Sequence, residues 1–169
     1  MIVDLFLYFA KFPNKRGIRS MATLGKSEFA EYAQMLDILE RLPDKARIPE
    51  IDHYVYGQTF DELKSLVERL TGSFLFADYG EFEFGDDGRR SYQYTQRLAI
   101  TVAMKYSDHA DPMEHVIISD RTLKLLTTVH AWMMADAERG ELNWLSRDSL
   151  AHAEIVPFVA SELKASGWT

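Results

Sequence analysis

The sequence predicts an α+β fold. It reads as a single domain over residues 1–169, in which a mixed or antiparallel sheet with a long protruding β-hairpin packs against one long C-terminal helix and smaller N-terminal helices. Three observations predict this. Between Ser73 and Tyr106 the apolar residues recur with period two, as in half-buried strands. Over Glu28–Leu42 and from Asp111 to Gly140 they recur near period 3.6, as on the inner face of a helix. A chain of 169 residues, 47% hydrophobic and 12% aromatic, supplies one core, and no repeat, low-complexity tract or linker divides it.

The hairpin is the centre of this reading. Phe74, Phe76, Phe82 and Phe84 share a parity, and so do Tyr92, Tyr94, Leu98, Ile100, Val102, Met104 and Tyr106. Leu75, Ala77 and Tyr79 are apolar on the opposite parity, so the base of the first strand is expected to be covered on both faces. Gly80 suggests a bulge or bend. Gly85-Asp86-Asp87-Gly88 is turn chemistry, because Gly tolerates positive φ and Asp bonds its own backbone. The second strand, read from Tyr92 to Tyr106, is far longer than the usual ~5–6 residues. A hairpin of this length is expected to project beyond a small core.

The other elements follow in order. Ile2 to Phe12 reads as a short helix or a buried strand, and a short apolar run does not distinguish them. Pro13 to Gly25, with Gly17 and the basic residues Lys15, Arg16 and Arg19, reads as an exposed loop. Ser27 is the expected N-cap of a helix from Glu28 to Leu42, striped by Phe29, Tyr32, Ala33, Leu36, Leu39 and Leu42 and ended by Pro43. Ile48 to Tyr56 alternates as a strand. Thr59-Phe60-Asp61-Glu62 has the capping-box arrangement and opens a helix that buries Leu63, Leu66, Val67 and Leu70, with Gly72 as its C′ residue. Asp111-Pro112-Met113-Glu114 starts another: an acidic N-cap, Pro at N1 and Glu at N3. Its stripe runs through Met113, Val116, Ile117, Leu123, Leu126, His130, Met133, Met134 and Ala137, with Leu126 and Met133 facing the sheet. Asp120 interrupts the stripe, leaving one long helix or two abutting ones open. Leu142–Leu145 and Ala153–Ala160 are the expected closing strands, and Pro157 places the latter at an edge or bulge.

Composition excludes several classes of function. A formal net charge of −7 and a pI near 5.2 oppose non-specific nucleic-acid binding, which needs a cationic footprint. Without cysteine there are no disulfides, thiolate metal sites or Cys nucleophiles, which suits a cytoplasmic protein. The apolar run Ile2–Ala10 is shorter than the ~20 residues that span a bilayer, and its flanks are not those of a signal peptide, so a mature, soluble chain is expected.

Candidate chemistry is sparse. Asp108-His109-Ala110-Asp111-Pro112-Met113-Glu114-His115 holds ligand types that suit zinc or manganese, but helix capping already accounts for Asp111 and Glu114, and the spacing is not diagnostic. His130 lies on an apolar stripe, as a hydrogen-bonded core histidine would. Trp132, Trp144, Trp168, Tyr92 and Tyr94 read as core rather than as a stacking platform. No nucleophile elbow or phosphate-binding loop is present. Glu81, Glu83, Asp86, Asp87, Arg89 and Arg90 gather charges of both signs around the hairpin turn, and an exposed contact surface is expected there.

The opening Met1-Ile2-Val3-Asp4-Leu5-Phe6, the run Ile48-Pro49-Glu50-Ile51-Asp52 leading to Tyr56-Gly57-Gln58, the strand Phe74-Leu75-Phe76-Ala77-Asp78, the long strand Gln96–Tyr106, one long helix and two closing strands form a recognisable order. In this order the chain resembles tail terminator (tail-completion, head–tail joining) proteins of long-tailed phages and prophages, over about two-thirds of its length. The resemblance implies a small α+β domain without cofactor or metal, assembling as a ring, commonly six-fold, on a tail tube. Its partners would be further copies of itself and tail-tube or connector proteins, and it would end in the virion if phage-derived. Two departures stand out: helices at Glu28–Leu42 and Asp61–Thr71 exceed a minimal terminator, and Arg89-Arg90 maps to no family position. The expected function is therefore a non-enzymatic assembly protein. The alternative is a small-ligand-binding or metal-dependent hydrolytic domain with its site around Asp108–His115.

Overall fold

Five strands form one mixed sheet, and two more form a ribbon that continues from it. The computed structural model describes residues 2–22, 26–59, 64–80, 82–86 and 92–169, the side chains of 19–22, 84, 86 and 92–94 excepted. In chain order the elements are α1 (Ile2–Phe9), α2 (Lys15–Ala22), α3 (Ala30–Arg41), β1 (His53–Gly57), α4 (Lys64–Val67), β2 (Ser73–Asp78), β3 (Phe82–Asp86), β4 (Tyr92–Gln96), β5 (Ala99–Lys105), α5 (Pro112–Glu138), α6 (Arg147–Ala151), β6 (Pro157–Ala160) and β7 (Ala165–Trp168). The sheet order is β1-β2-β5-β7-β6, with β1 parallel to β2 and every other pairing antiparallel. Among the described residues β3 and β4 pair only with each other.

The α+β class, the mixed sheet and the long C-terminal helix are as the sequence predicts. β2 is covered on both faces. Leu75 and Ala77 join Phe9, Phe12, Tyr54, Val102 and Val129 in a core shared with α1 and α5. Phe74 and Phe76 face the other way, with Val55, Val67, Leu70, Ala103 and Leu163. An uninterrupted apolar run in a strand is what two-sided burial requires.

The undecided N-terminal run is helical, and the segment expected as an exposed loop, Pro13 to Gly25, contains α2. Gly17 is the reason. A Cβ there would fall inside van der Waals distance of the Asp52 carbonyl oxygen and 2.8 Å from His53 Cα, so the missing side chain lets α2 lie on β1. Ile18 is buried alongside. Asn14 ties this corner together: its N–H donates to the Ile51 carbonyl (3.0 Å) and its side-chain amide to the Pro49 carbonyl (2.8 Å).

α3 departs from its expected stripe. It starts at Ala30, and although the Ser27 hydroxyl accepts from the Phe29 N–H (3.2 Å), the N-cap residue Phe29 makes no side-chain cap bond. Of the predicted stripe only Leu39 is buried, and Phe29 is 76% exposed. The strand expected from Ile48 begins only at His53, because Ile48–Ile51 closes a turn (Ile51 N–H to Ile48 carbonyl, 3.1 Å). Residues 60–63, most of the expected capping box with Leu63, lie outside the described residues. Gly72 has positive φ (+81°), but α4 ends at Val67, so Gly72 serves the entry to β2 rather than a helix C′. There Ser73 donates to the Glu50 carbonyl (2.6 Å) and its N–H to the Asp52 carboxylate (3.0 Å).

α5 is one helix of 27 residues, started as expected: Asp111 accepts the Glu114 N–H at 2.8 Å, and Pro112 follows the cap. Leu126 and Met133 are buried at 6% exposure each. The N-terminal half of the stripe is corrected. At 100° per residue Ile118, Thr122, Leu126, Val129 and Met133 form the inner face, which places Met113, Val116 and Ile117 on the outside; Met113 and Val116 are 70% and 67% exposed. Asp120 also faces out, pairing with Lys124 (2.6 Å), so it interrupts nothing. Leu142–Leu145 is a turn rather than a strand, because the Glu141 N–H folds back onto the Asp136 carbonyl (2.9 Å) and Ser146 then caps α6. Strand β6 starts at Pro157 and is the sheet edge; β7, inserted between β5 and β6, is an addition.

Asp136 has no solvent exposure. It accepts from the Tyr8 hydroxyl (2.7 Å), Arg47 Nη1 (2.5 Å) and the Arg139 guanidinium. Arg47 also lies over the Tyr8, Phe12 and Trp132 rings, 4.8 Å from the last. Burial pushes the Asp136 carboxyl up, but the hydrogen bonds from Arg47 and Tyr8 and the two guanidinium charges outweigh it and hold the group below the usual carboxylate range.

Leu126→Asp or Met133→Asp buries an unpaired charge and costs roughly 3 kcal/mol or more, read from urea midpoints; near-wild-type stability of both would reverse the assigned helix face. Asp136→Ala leaves Arg47 without its buried partner and costs about 3–5 kcal/mol. The folded pKa of Asp136 lies below the unfolded ~3.9, so its contribution is complete above about pH 4 and is lost as pH falls through the folded value. Asp136→Asn therefore flattens that part of the acid limb in denaturation series run from pH 7 to pH 2.

Candidate assembly surface

Three exposed features are candidates for contact with other proteins: the β3–β4 ribbon, the open edge at β6 and the first turns of α5. The ribbon continues the β2 and β5 strands past a break. On one side the break is Tyr79-Gly80 and on the other Arg97-Leu98. Gly80 has φ +54°, and its N–H donates to the Asp78 carboxylate at 2.8 Å. A Cβ on Gly80 would overlap the Arg97 carbonyl oxygen. Gln96 Nε2 closes the junction by donating to the Tyr79 carbonyl (2.7 Å). Burial raises the Asp78 carboxyl above its ordinary value, with the Gly80 N–H acting against that rise. The expected bend at Gly80 is therefore real, and it splits the long second strand into β4 and β5.

Of the six charges expected at the turn, the structure places Glu83 on β3, exposed and paired with Arg97 at 3.0 Å. Asp86 ends β3, its backbone opposite Tyr92. Glu81, Asp87, Arg89 and Arg90 lie outside the described residues. Phe82 is 37% exposed at the ribbon base.

The second feature was not among the expected site residues. β6 has β7 on one side and, among the described residues, no strand on the other. Val156 and Thr169 exchange both backbone hydrogen bonds (2.9 and 3.0 Å). In an antiparallel ladder such pairs recur every second residue, so Phe158 and Ala160 bond inward while the Pro157 carbonyl and both Val159 backbone groups point away from β7. Val159 is 67% exposed, and Ile155 and Val156 are exposed beside it. The signal in the sequence was the run Ile155-Val156-Pro157-Phe158-Val159, apolar without alternation. On α5, Met113, Val116 and Ile117 add a further exposed apolar group.

The alternative site around Asp108–His115 does not converge. Asp108 pairs with Lys164, Asp111 caps α5, and the His115 ring packs edge-on against Tyr106 at 4.7 Å. Among the described residues no group of three or more His, Asp or Glu side chains is placed to hold a metal. His130 is half-buried and bonded to the Leu150 carbonyl (2.9 Å), as a core histidine. Of the aromatics expected in the core, Trp144 packs edge-on to Tyr8 (5.7 Å) and Trp168 donates to the Ser119 carbonyl (3.0 Å), whereas Trp132 is 37% exposed, with Arg47 over its ring; the side chains of Tyr92 and Tyr94 lie outside the described residues. Among the described residues no helix is long and apolar enough to cross a membrane.

The junction geometry predicts that Gly80→Ala strains both φ and the contact with Arg97, costing about 1–3 kcal/mol and loosening the ribbon. Hydrogen exchange should quicken at β3 and β4 while β2 and β5 keep their protection; uniform protection in the variant would show that the junction is not a mechanical joint. Comparison of the chain with family models, curated proteins and solved structures finds no match.

Proposed function

We propose that the protein is a non-enzymatic assembly subunit that associates with copies of itself into a ring, as phage and prophage tail terminators do, and that the ring then meets tail-tube or connector proteins. The observation that carries this reading is the open β6 edge. Soluble proteins usually blunt such an edge with charge, proline or a covering element. Here one proline and a length of four residues are the blunting devices, while Val159 and its outward backbone groups stay exposed. The ribbon supports the same reading. Two strands alone are marginal in water, and a neighbouring copy offers β3–β4 the packing that its own core does not. An edge on one side of the subunit and a ribbon elsewhere make a heterologous contact, which closes into a ring when its rotation divides the circle.

The test is Val159→Lys, which sets a charge on the edge without touching the core. Because Val159 is mostly exposed, thermal stability should stay within about 0.5 kcal/mol of wild type. Sedimentation at high concentration should show the wild type as a closed oligomer and the variant as monomer. A second variant, with Asp86, Asp87, Arg89 and Arg90 all changed to Ser and both glycines kept, should lose assembly in the same way. A wild type that stays monomeric with and without a tube protein, or a Val159→Lys variant that assembles normally, would refute the reading.

A further inference from the structure

We propose that the protein binds a small organic carboxylate, one anionic group on a short apolar body, in the cavity between the start of α2 and the end of α3. The cavity holds about 240 Å³. Lys11, Lys15, Lys45 and Arg47 all line it, and among the described residues no acidic one does. In a chain with 26 acidic and 19 basic residues, four cations around one cavity run against the overall charge.

The four cations are not equivalent. Lys15 donates to the Glu40 and Leu42 carbonyls at 2.6 and 3.1 Å and approaches Asp44 at 3.5 Å, so it closes the end of α3. Arg47 is committed to Asp136. Lys11 and Lys45 make no ion pair among the described residues; the Lys11 ammonium lies 5.3 Å from the Tyr8 ring centroid. Lys11 and Lys45 are thus the two lining cations without a carboxylate partner among the described residues, and an ammonium group makes a charge-assisted bond to a carboxylate oxygen. Two carboxylates approach the lining cations: the buried Asp136, bonded to Arg47, and Asp44, 99% exposed and 3.5 Å from Lys15.

The rest of the lining selects the body of the ligand. Ala10 and Ile18 are buried and Leu42 is half-buried, and they contribute apolar walls. At about 30 Å³ per water the space holds roughly eight waters, a volume that a carboxylate of about six carbons can occupy. Releasing that water from the apolar walls favours an alkyl chain over a bare anion. Ligand pockets usually combine an apolar lining with a few placed polar groups, and this small cavity has that composition.

Titration calorimetry of the whole chain with hexanoate, hexanamide and inorganic phosphate tests the assignment. Hexanoate should bind with one site, at least ten-fold tighter than either of the other two. The Lys11→Gln/Lys45→Gln double variant should weaken hexanoate at least ten-fold with an unchanged melting temperature. If the double variant melts lower, the exposed Lys45→Gln change alone is the measure, with an expected loss of about three-fold or more. Absence of hexanoate binding, equal binding of hexanamide, phosphate binding as tightly as hexanoate, or wild-type affinity in the lysine variants would each overturn it.

Discussion

A single buried carboxylate orients the helical layer. Asp136 on α5 takes hydrogen bonds from Tyr8 on α1, from Arg47 in the loop after α3, and from Arg139 at the end of α5. Moving a carboxylate and a guanidinium out of water costs several kcal/mol per ion, and pairing repays this only when the remaining lone pairs are filled. Here they are, and Tyr8, Phe12 and Trp132 enclose the guanidinium as well. The arrangement therefore contributes less to net stability than to choice. A hydrophobic substitute would tolerate several settings of α1 against α5, whereas three directed bonds tolerate one. Arg47 passes the constraint on, since its N–H and that of Ile48 donate to the Lys11 and Phe12 carbonyls and set the loop along the end of α1. Lys11 and Lys45, on either side of that seam, inherit their positions from it.

The sequence made the sheet's middle and the long helix legible because their signals are local. Phe74-Leu75-Phe76-Ala77 has nowhere to go except between two layers, and Asp111-Pro112 with Glu114 starts a helix by short-range bonds alone. What was missed depends on contacts distant in sequence. α2 is polar and holds a glycine, and only the Asp52 and His53 backbone beneath Gly17 makes that glycine an asset. β7 reads as Ala-Ser-Gly-Trp, poor strand material, yet it pairs on both sides because Gly167 lies flush against Val102 and Ala103. The expected strand at Leu142–Leu145 has the right side chains, but the return of the chain to Asp136 overrides them. On α5 the mistake was one of phase. Met113, Val116 and Ile117 are as apolar as the inner residues, and periodicity alone does not choose between two apolar faces of one helix.

The candidate surface was legible in part for the same reason. Alternating aromatics and an acidic turn announce a hairpin, and Gly80 announces its bend. The open edge was harder to see, because β6 is an edge only by virtue of β7 standing between it and β5. Pro157, within the non-alternating apolar run Ile155–Val159, is the local clue to an edge, since a residue without an N–H cannot serve in the middle of a ladder.

Charge limits how copies of this chain can meet. Each carries a formal −7, so at distances beyond about a Debye length, ~8–10 Å, copies repel unless salt screens them. A contact built on an exposed ion pair such as Glu83–Arg97 contributes only ~0–1 kcal/mol, so charge contacts count toward assembly only where a ring repeats them. In the proposed ring the attraction comes largely from uncharged groups, the Val159 backbone and the apolar residues Ile155 and Val156 beside it, while the charges of the ribbon turn select which partner can pair. Ladder hydrogen bonds have a fixed direction and repeat, so they admit one relative rotation of neighbouring subunits and exclude the rest. In the ring proposed above, the general repulsion would work for closure rather than against it. It would suppress loose hydrophobic association through Met113, Val116 and Ile117 on α5 and leave the proposed directed edge contact as the geometry in which copies approach closely.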